Sequence, residues 1–525
     1  MNGERRPLGQ LVARLSAEGR VRGARLGGRP VGAGALDGTL VEGVVYDSRA
    51  AVPGSLFVAI AGQHVDGHDY AVDAVAHGAS AVVAERPIPG VLAPQVLVDA
   101  SRPSLATAAA WWFGDPSHEL TVVGVTGTDG KTTTAYLAVA ALEAAGIRTG
   151  MLGTIATRVG GVTEEHAVHT TTPEAPELQG ALRAMVSAGD RAAILETTSH
   201  GLALDRVASV AYDVAILTNL THEHLELHGT WEAYRDAKLS LFSRLRGSVP
   251  KPDRVAPAGI VNLDDPSAGV FVGVTREAGA RLVTYGTDPA ADIRATRVAE
   301  DANGLDIELS APSGPAALRL RLAGRFNVHN ALAVVALGEV LGADPAAVRT
   351  GLAGLEAVPG RMERVDAGQP FGVIVDFAHS PAALQTVLDL LAPTAAARGG
   401  GLISVFGSAG ERDTAKRPQM GRIAGERSRL VVVTDEDPRG EDREAILDAI
   451  ARGAEAAGRR RGHDLLLIAD RRAAIAAAFE AARPGDIVVL AGKGHERSII
   501  GPDGELPWDE RGTATELLVA LGYRA

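Results

Sequence analysis

The chain of 525 residues contains no cysteine, only 4% aromatic residues and no long apolar run. The absence of cysteine excludes disulfides, thiolate metal sites and a cysteine nucleophile. No apolar run approaches the roughly 18 residues of a membrane helix, and the N-terminal segment MNGERRPLGQLVARL lacks the apolar core of a signal peptide. A formal net charge of -12 without a Lys/Arg block argues against nucleic acid as the main partner. We therefore expect a soluble, cytoplasmic protein with no membrane span.

The chain is long enough for about three domains, and strand-like runs alternate with helical segments along it. Up to residue 119 these runs predict a small α/β domain, which ends at the turn signals of Trp111–Leu120. The central runs VVGVT, AAILETT, VAILTNL and GIVNLD look like buried, apolar strands, which predicts a parallel sheet covered on both faces. After Val358 the runs FGVIVDFA, GLISVFGS, RLVVVTDE, DLLLIAD and DIVVLAGKG predict a doubly wound domain. The expected domains are residues 1–118, 119–358 and 359–525.

The stretch TVVGVTGTDGKTTT, residues 121–134, predicts a strand, a glycine-rich loop and a helix. Backbone N–H groups at such a helix N-terminus bind phosphate, and a lysine and a hydroxyl on Mg²⁺ complete a nucleotide site. The generic pattern requires glycine where Val125 stands, so only the shorter form GTDGKT is present. A glycine-rich turn without a ligand is the alternative. The candidate ATP-binding residues of the loop are Gly127, Thr128, Asp129, Gly130, Lys131, Thr132 and Thr133.

Polar residues directly after the apolar strands are further candidates, because ligands bind at the carboxyl ends of parallel strands. Glu196 and His224 are plausible Mg²⁺ ligands, and Lys238 follows on a predicted helix. The HEHLELH segment lacks HExxH spacing, since Glu226 stands four residues after His222, which disfavours a zinc peptidase. The histidines are equally compatible with ordinary loop residues.

A dozen sequence blocks make the chain similar to one family. They include DSRAAVPGSLFVAIAGQHVDGHDY, GVTGTDGKTTT, ETTSHGL, LTNLTHEHLELHG, AYRDAKLSLF, GRFNVHNALA, DFAHSP, TDEDPRGED and AGKGHE, in the family's order. On these blocks the chain resembles the Mur ligases, which build peptide bonds on cell-wall precursors. The resemblance implies an α/β fold of three domains, with a central P-loop ATPase domain and a C-terminal doubly wound domain. It also implies that a diamino acid is added to UDP-N-acetylmuramoyl-L-alanyl-D-glutamate through an acyl phosphate.

The resemblance also implies roles for individual residues. Asp47 and the Gly62–His68 loop would lie at the uridine end, and the substrate-binding residues would be Ser48, Arg49, Thr171, Thr172, Ser199 and Arg206. Asn330 would reach the adenine, while Arg361 and Asp376 would reach the nucleotide from later segments. Two Mg²⁺ ions would be held by Thr132, Glu196, His224 and Lys238, the lysine being carbamylated by CO₂ because an ammonium cannot ligate a metal. Lys131, Glu196, His224 and Lys238 would be catalytic.

The identity of the amino acid depends on the segment EDPR, residues 436–439. Family members that use meso-diaminopimelate carry DNPR there, and Arg439 keeps the carboxylate-binding fork. Asp437 replaces the asparagine, so a cationic lysine or ornithine remains an alternative. Arg412, Gly492 and Glu496 complete the amino-acid site that the resemblance implies. A monomer or weak oligomer is expected.

Two other classes of function would also use a phosphate loop. A GTPase should contain NKxD for guanine, and this chain has no Asn-Lys dipeptide. A non-catalytic scaffold could keep the fold for nucleotide binding alone. The joint presence of Lys131, Thr132, Glu196, His224 and Lys238 argues against the scaffold.

Overall fold

The protein is described here from a computed structural model, which covers residues 5–62, 65–165, 170–221, 225–247, 251, 255–301 and 304–524. Its strands form three large sheets that follow one another along the chain. The predicted α/β class is confirmed, and each sheet lies in a different section of the sequence.

The first section forms a sheet of six strands. Its helices are α1 (Leu8–Ala17), α2 (Ala71–Ala76) and α3 (Ser101–Phe113), and its strands are β1 (Arg6–Pro7), β2 (Val21–Leu26), β3 (Arg29–Val31), β4 (Leu40–Val41), β5 (Gly43–Val45), β6 (Ser55–Val58), β7 (Ala81–Ala84) and β8 (Gln95–Val98). The sheet order is β3-β2-β8-β7-β6-β5, in which β5 to β8 are parallel and β2 and β3 are antiparallel. Trp111 and Trp112, expected in the turn that ends this domain, instead lie in the last turn of α3 and are buried.

The central section forms a sheet of eleven strands. Its helices are α4 (Lys131–Ala144), α5 (Ala175–Ala188), α6 (Ser199–Ala203), α7 (Leu225–His228), α8 (Trp231–Ser243), α9 (Ala268–Glu277), α10 (Phe326–Leu341) and α11 (Pro345–Gly354). Its strands are β9 (Thr121–Thr126), β10 (Thr149–Leu152), β11 (Ala156–Val159), β12 (Val162–Glu165), β13 (Ala192–Glu196), β14 (Val214–Leu217), β15 (Ala258–Asn262), β16 (Arg281–Gly286), β17 (Ile293–Asp301), β18 (Gly304–Ala311) and β19 (Gly314–Leu320).

The order of the central sheet explains where its functional loops meet. Strands β10-β13-β9-β14-β15-β16 are parallel and adjacent, and each face carries its own apolar core. The residues after β9, β13 and β14 therefore emerge at one edge of the sheet. The prediction of a parallel sheet is correct for this part and incomplete for the whole, because β11–β12 and β18–β19 add antiparallel hairpins at both ends. In β18 buried and exposed residues alternate, as in a strand that has one face packed on the core and the other exposed to solvent.

The last section forms the predicted doubly wound sheet. Its helices are α12 (Pro381–Ala397), α13 (Lys416–Arg427), α14 (Arg443–Ala456), α15 (Arg471–Ala481) and α16 (Glu510–Ala520), and its strands are β20 (Glu363–Arg364), β21 (Gly372–Asp376), β22 (Leu402–Phe406), β23 (Leu430–Val433), β24 (Leu465–Leu467), β25 (Ile487–Ala491), β26 (Ser498–Gly501) and β27 (Gly504–Pro507). The order is β20-β21-β25-β22-β23-β24, with β21 to β25 parallel. Helices α12 to α14 pack on one face, and α15 and α16 pack on the other.

A polar contact joins the central and last sections at the end strand of the central sheet. Arg497, which precedes β26, pairs with Glu165 at the end of β12 and also with Asp509. The Arg497 and Glu165 side chains are 41% and 40% exposed.

Candidate active site

The phosphate loop joins β9 to α4, and its glycines are required by close contacts. Gly127 has φ 150° and Gly130 has φ 81°, a left-handed conformation that precedes the first helical residue. A Cβ atom on Gly127 would lie 1.8 Å from Thr218 Oγ1, and one on Gly130 would lie 2.4 Å from Asn330 Oδ1. Larger residues are therefore excluded from a loop that leads directly into a helix N-terminus, which is a site for phosphate.

Two lysines meet at one carbonyl of this loop. Lys131 Nζ donates to the Gly127 carbonyl at 3.0 Å and to the Thr128 carbonyl at 2.7 Å. Lys238 Nζ, from α8, donates to the same Gly127 carbonyl at 2.7 Å and lies 4.6 Å from the centre of the Tyr234 ring. Lys238 is 2% exposed, so it is not the surface helix lysine that its sequence position alone would allow. Both ammonium groups face the bend where a nucleotide's phosphates would lie.

Glu196 forms an oxygen-rich corner beside the loop. Its Oε2 accepts hydrogen bonds from Thr132 Oγ1 at 2.8 Å and from Thr154 Oγ1 at 2.9 Å, and its Oε1 accepts from the Thr154 N–H at 2.9 Å. Glu196 is 2% exposed, and within the described residues its carboxylate has only these neutral partners. Sequence reasoning missed Thr154, although this residue follows β10 closely and the rule for polar residues after apolar strands would have found it.

The donor set of this corner fits Mg²⁺. A buried carboxylate and hydroxyl oxygens are ligands that this ion prefers, and a cation would neutralise the buried charge of Glu196. Among the described residues no group of three or more His, Cys, Asp or Glu side chains is placed to hold a metal. Of the four residues expected to hold Mg²⁺, only Glu196 is a His, Cys, Asp or Glu residue that the structure describes. Thr132 and Lys238 are other residue types, and His224 lies outside the described residues.

The residues expected to hold the muramyl dipeptide cluster around the end of β13. Thr171 Oγ1 lies 3.0 Å from Thr154 Oγ1, and Thr172 Oγ1 donates to the Glu196 carbonyl at 2.9 Å. Arg206 donates from Nη1 to the Thr172 carbonyl and from Nε to Glu174, both at 2.9 Å. The buried Ser199 hydroxyl has no hydrogen-bond partner in the described structure. This group therefore borders the Glu196 corner directly.

The residues expected at the uridine end lie in the first section. Asp47 caps a short 3-10 helix over Ser48–Ala50 by accepting from the Arg49 N–H, and it also pairs with the Arg49 guanidinium at 2.6 Å. The hydrogen bond from Arg49 lowers the pKa of Asp47 to about 2. Ser48 is buried, whereas the Arg49 side chain is 87% exposed. Residues 63 and 64 of the Gly62–His68 loop lie outside the described residues.

The later nucleotide residues divide between two places. Asn330 is buried beside the phosphate loop, where its Oδ1 accepts from Thr134 Oγ1 at 3.3 Å. Asp376 ends β21 and accepts from the Met362 and Ala378 N–H groups, and burial raises its pKa. The Arg361 guanidinium lies 4.7 Å from the Phe377 ring centre. Arg361 and Asp376 therefore belong to the last section and Asn330 to the central one.

Four of the five expected amino-acid residues lie on two loops at the carboxyl ends of β23 and β25, whereas Arg412 follows β22. Asp437 Oδ1 accepts from Lys493 Nζ at 2.8 Å and from the Ile500 N–H at 2.9 Å. Lys493 is fully buried and also pairs with Glu496 Oε2 at 2.6 Å. A Cβ atom on Gly492, which has φ 102°, would lie 3.2 Å from Glu436 Oε2. Sequence reasoning missed Lys493, whose position between two glycines after an apolar strand was a usable signal.

Two groups on the EDPR loop remain without hydrogen-bond partners in the described structure. They are the buried Glu436 Oε2 and Arg439 Nε atoms. Arg439 has φ 54°, and its N–H donates to the Ile500 carbonyl at 2.9 Å, so the β26–β27 hairpin holds the loop from behind. Arg412 is exposed, and its guanidinium makes no hydrogen bond within the described part of the chain. The structure thus assembles Asp437, Arg439, Gly492 and Glu496 and leaves Arg412 apart from their contacts.

Comparisons with known proteins cover all three sections. The models of the Mur ligase family catalytic domain, the Mur ligase middle domain and the Mur ligase glutamate ligase domain match residues 40–108, 125–338 and 360–494. A UDP-N-acetylmuramyl-tripeptide synthetase of Roseiflexus sp. is 48% identical over 492 residues, covering 92% of this chain and 95% of the relative. A UDP-N-acetylmuramoyl-L-alanyl-D-glutamate--2,6-diaminopimelate ligase of Geobacter metallireducens is 42% identical, with 87% and 90% covered. A solved ligase of this second name has TM-score 0.62 and 30% identity, covering 93% of this chain and 96% of its own. No helix in the described part of the chain is both long and apolar enough to cross a membrane.

Proposed function

The chain belongs to the Mur ligase family, and from this premise we propose that it is an ATP-dependent ligase that adds meso-2,6-diaminopimelate to UDP-N-acetylmuramoyl-L-alanyl-D-glutamate. The observation that carries the proposal is the buried corner in which Thr132 of the phosphate loop meets Glu196. This corner lies between the loop for ATP and the residues expected to hold the muramyl dipeptide. A phosphoryl group can therefore pass from one substrate to the other. A cytoplasmic location and a monomeric or weakly associated state stay predictions.

The proposed reaction has two steps. The γ-carboxylate of the D-glutamate attacks the γ-phosphorus of ATP, so that a carboxyl–phosphate bond forms and ADP leaves. The amine of the diamino acid, after loss of a proton, attacks the acyl carbon, a C–N bond forms, and inorganic phosphate leaves. The backbone N–H groups of the loop and the Lys131 ammonium would hold the phosphates and neutralise their charge.

Mg²⁺, held by Thr132 and Glu196, would neutralise charge on the transferring phosphoryl group. We propose that His224 and a carbamate of Lys238 serve a second ion. The position of Lys238, buried and beside the Gly127 carbonyl, supports its role at the phosphates. Thr154 would hold the Glu196 carboxylate in a fixed orientation, because it donates to both carboxylate oxygens.

The charges of the EDPR loop favour diaminopimelate as the amino acid. The charge of the Asp437 carboxylate is already paired with Lys493, and its Oδ1 also accepts from the Ile500 N–H, which makes it a weaker site for an incoming ammonium. Glu436 Oε2 and Arg439 Nε have no hydrogen-bond partners in the described structure, and they offer one anionic and one cationic group three positions apart in the chain. The distal end of diaminopimelate carries an ammonium and a carboxylate, which this pair complements. Lysine and ornithine lack that carboxylate.

A product assay tests both parts of the proposal. UDP-muramoyl dipeptide, ATP and Mg²⁺ are supplied with diaminopimelate, L-lysine or L-ornithine in separate reactions, and products are identified by mass. Product with diaminopimelate alone is expected, and Lys131→Met is the matched inactive control. Product with lysine or ornithine alone would refute the amino-acid assignment. ATP binding without product from any of the three would favour the scaffold.

A further inference from the structure

A fully buried arginine lies behind the amino-acid loops. Arg471 is the first residue of α15, and its side chain and that of its partner Glu510 are both 0% exposed. Arg471 Nε and Nη2 donate to the two Glu510 oxygens at 2.9 and 2.6 Å. Its remaining donors point at backbone carbonyls, with Nη1 to Asp435 and Nη2 to Ala491, both at 2.9 Å. An arginine buried in this way is held by charge-assisted hydrogen bonds on every side.

The two carbonyls stand at the bases of the two loops. Asp435 directly precedes the EDPR segment, and Ala491 is the last residue of β25, directly before Gly492. Strands β23 and β25 are not neighbours, because β22 lies between them. No ladder hydrogen bond therefore joins the strands that carry these two loops directly, and the ladder connects them only through β22. Arg471 spans that gap with one guanidinium.

The counter-charge comes from the C-terminal segment of the chain. Glu510 is the first residue of α16, and its Oε2 also accepts from Trp508 Nε1 at 2.6 Å. The Trp508 N–H donates to the carbonyl of Arg497 at 2.8 Å. Arg497 is the residue that follows Glu496. The same network thus reaches the end of the AGKGHE loop.

We propose that Arg471 is a positioning residue for the amino-acid site, which sets the spacing between the EDPR loop and the Gly492–Glu496 loop. This inference rests on the proposed function, since it requires those loops to bind the diamino acid. Lys493 of the second loop joins the two loops near their tips through its pair with Asp437, and Arg471 joins their bases. Loss of the base contact would shift the two halves of the site relative to each other. The phosphate loop, in another sheet, would not be affected.

The test compares steady-state kinetics of Arg471→Met, Arg471→Lys and Glu510→Gln with the intact enzyme. Small displacements of binding groups cost up to about 100-fold, so we expect the KM for diaminopimelate to rise about 10- to 100-fold in Arg471→Met. The KM values for ATP and the UDP-dipeptide are expected to stay unchanged. Arg471→Lys keeps the charge but spans one carbonyl at most, and it should give an intermediate KM.

A matched control separates positioning from loss of stability. Arg429 also pairs with a buried carboxylate, Asp486, and donates to the Ala481 carbonyl at 2.6 Å, but it lies at the opposite ends of the same strands. Arg429→Met should lower the melting temperature without changing the KM for diaminopimelate. An equal rise of this KM in Arg429→Met and Arg471→Met would overturn the inference.

The remaining outcomes are also decisive. If Arg471→Met does not fold, Glu510→Gln decides, because it keeps the side-chain shape and removes the charge; an unchanged KM for diaminopimelate would then refute the proposal. An intact enzyme that makes no product with any diamino acid defeats the proposed function. An active intact enzyme whose Arg471 variants keep their amino-acid KM defeats this inference alone.

Discussion

The substitution Asp437→Asn tests whether the acidic residue of the EDPR loop selects the amino acid. Both hydrogen bonds that Asp437 receives, from Lys493 Nζ and from the Ile500 N–H, end on the same oxygen, Oδ1. An asparagine can place its amide oxygen at that position and keep both bonds. What is lost is the negative charge beside Lys493, which retains Glu496 as a partner at 2.6 Å.

The structure sets the size of the effect on stability. A hydrogen bond to a charged group contributes about 1.5–3 kcal/mol and a neutral one about 0.5–1.5 kcal/mol, so the exchange should cost about 1 kcal/mol. The loss of about 3–5 kcal/mol expected for an unpaired buried charge does not apply, because Glu496 still neutralises Lys493. For a section of this length the melting temperature should fall by about 2–4 °C. Without the Asp437 carboxylate, the electrostatic potential at Arg439 becomes more positive. The more positive potential does not weaken binding of the distal carboxylate of diaminopimelate.

The assay measures the KM for diaminopimelate, together with product formation from lysine and ornithine, in Asp437→Asn and in Glu436→Gln. We expect Asp437→Asn to use diaminopimelate almost as well as the intact enzyme. Glu436→Gln removes the carboxylate whose Oε2 has no hydrogen-bond partner in the described structure, and loss of one charged hydrogen bond to the substrate should raise the KM about 10- to 100-fold. The reverse pattern, with a large effect at Asp437 and none at Glu436, would refute the assignment of roles within this loop.

Three further predictions concern the phosphate loop, the buried lysine and the acid stability of the last section. Gly127→Ala should abolish ATP binding, measured by calorimetry, because its Cβ would lie 1.8 Å from Thr218 Oγ1; binding at the intact affinity would contradict the loop geometry. With ¹³C-bicarbonate, the intact enzyme should show a carbamate resonance that is absent from Lys238→Met, and a resonance in both would place the carbamate elsewhere. The hydrogen bond from Arg417 lowers the pKa of Glu441 to about 2, so its contribution is full above pH 4.5 and is lost as the pH falls toward 2. The difference in unfolding free energy between the intact protein and Glu441→Gln should narrow over that range, and a constant difference in urea titrations would be inconsistent with the ion pair.

The sequence predicted the fold where local signals and long-range packing agree. Strands β9, β13 and β14 are short, have apolar centres and end at or just before polar residues, so their burial and their common edge could be predicted directly. The hairpin β18–β19 was missed although apolar and polar residues alternate in β18, and its place depends on pairing with β17 at the end of the sheet. The order of strands in a sheet is a tertiary property, which no single segment encodes.

The candidate site was predictable to different extents. The phosphate loop carries a local motif, so its residues could be named and their contacts with Glu196 follow from the strand order. The partners of Asp437 could not be inferred, because Lys493 stands 56 residues away and the two meet only through the sheet. From the sequence alone, Asp437 could be interpreted as part of a site for a cationic side chain. In the structure its charge is already neutralised by Lys493. The assigned roles of the site residues stay predictions until the variants are measured.

The contact between Arg497 and Glu165 has a consequence for the movement of the last section. It is the kind of exposed ion pair that contributes about 0–1 kcal/mol, and dissolved salt screens it. Thermal motion at room temperature is therefore sufficient to break it. This ion pair between the last section and the hairpin β11–β12 therefore forms and breaks at a small cost in free energy. A higher ionic strength of the solution lowers the fraction of molecules in which it is formed.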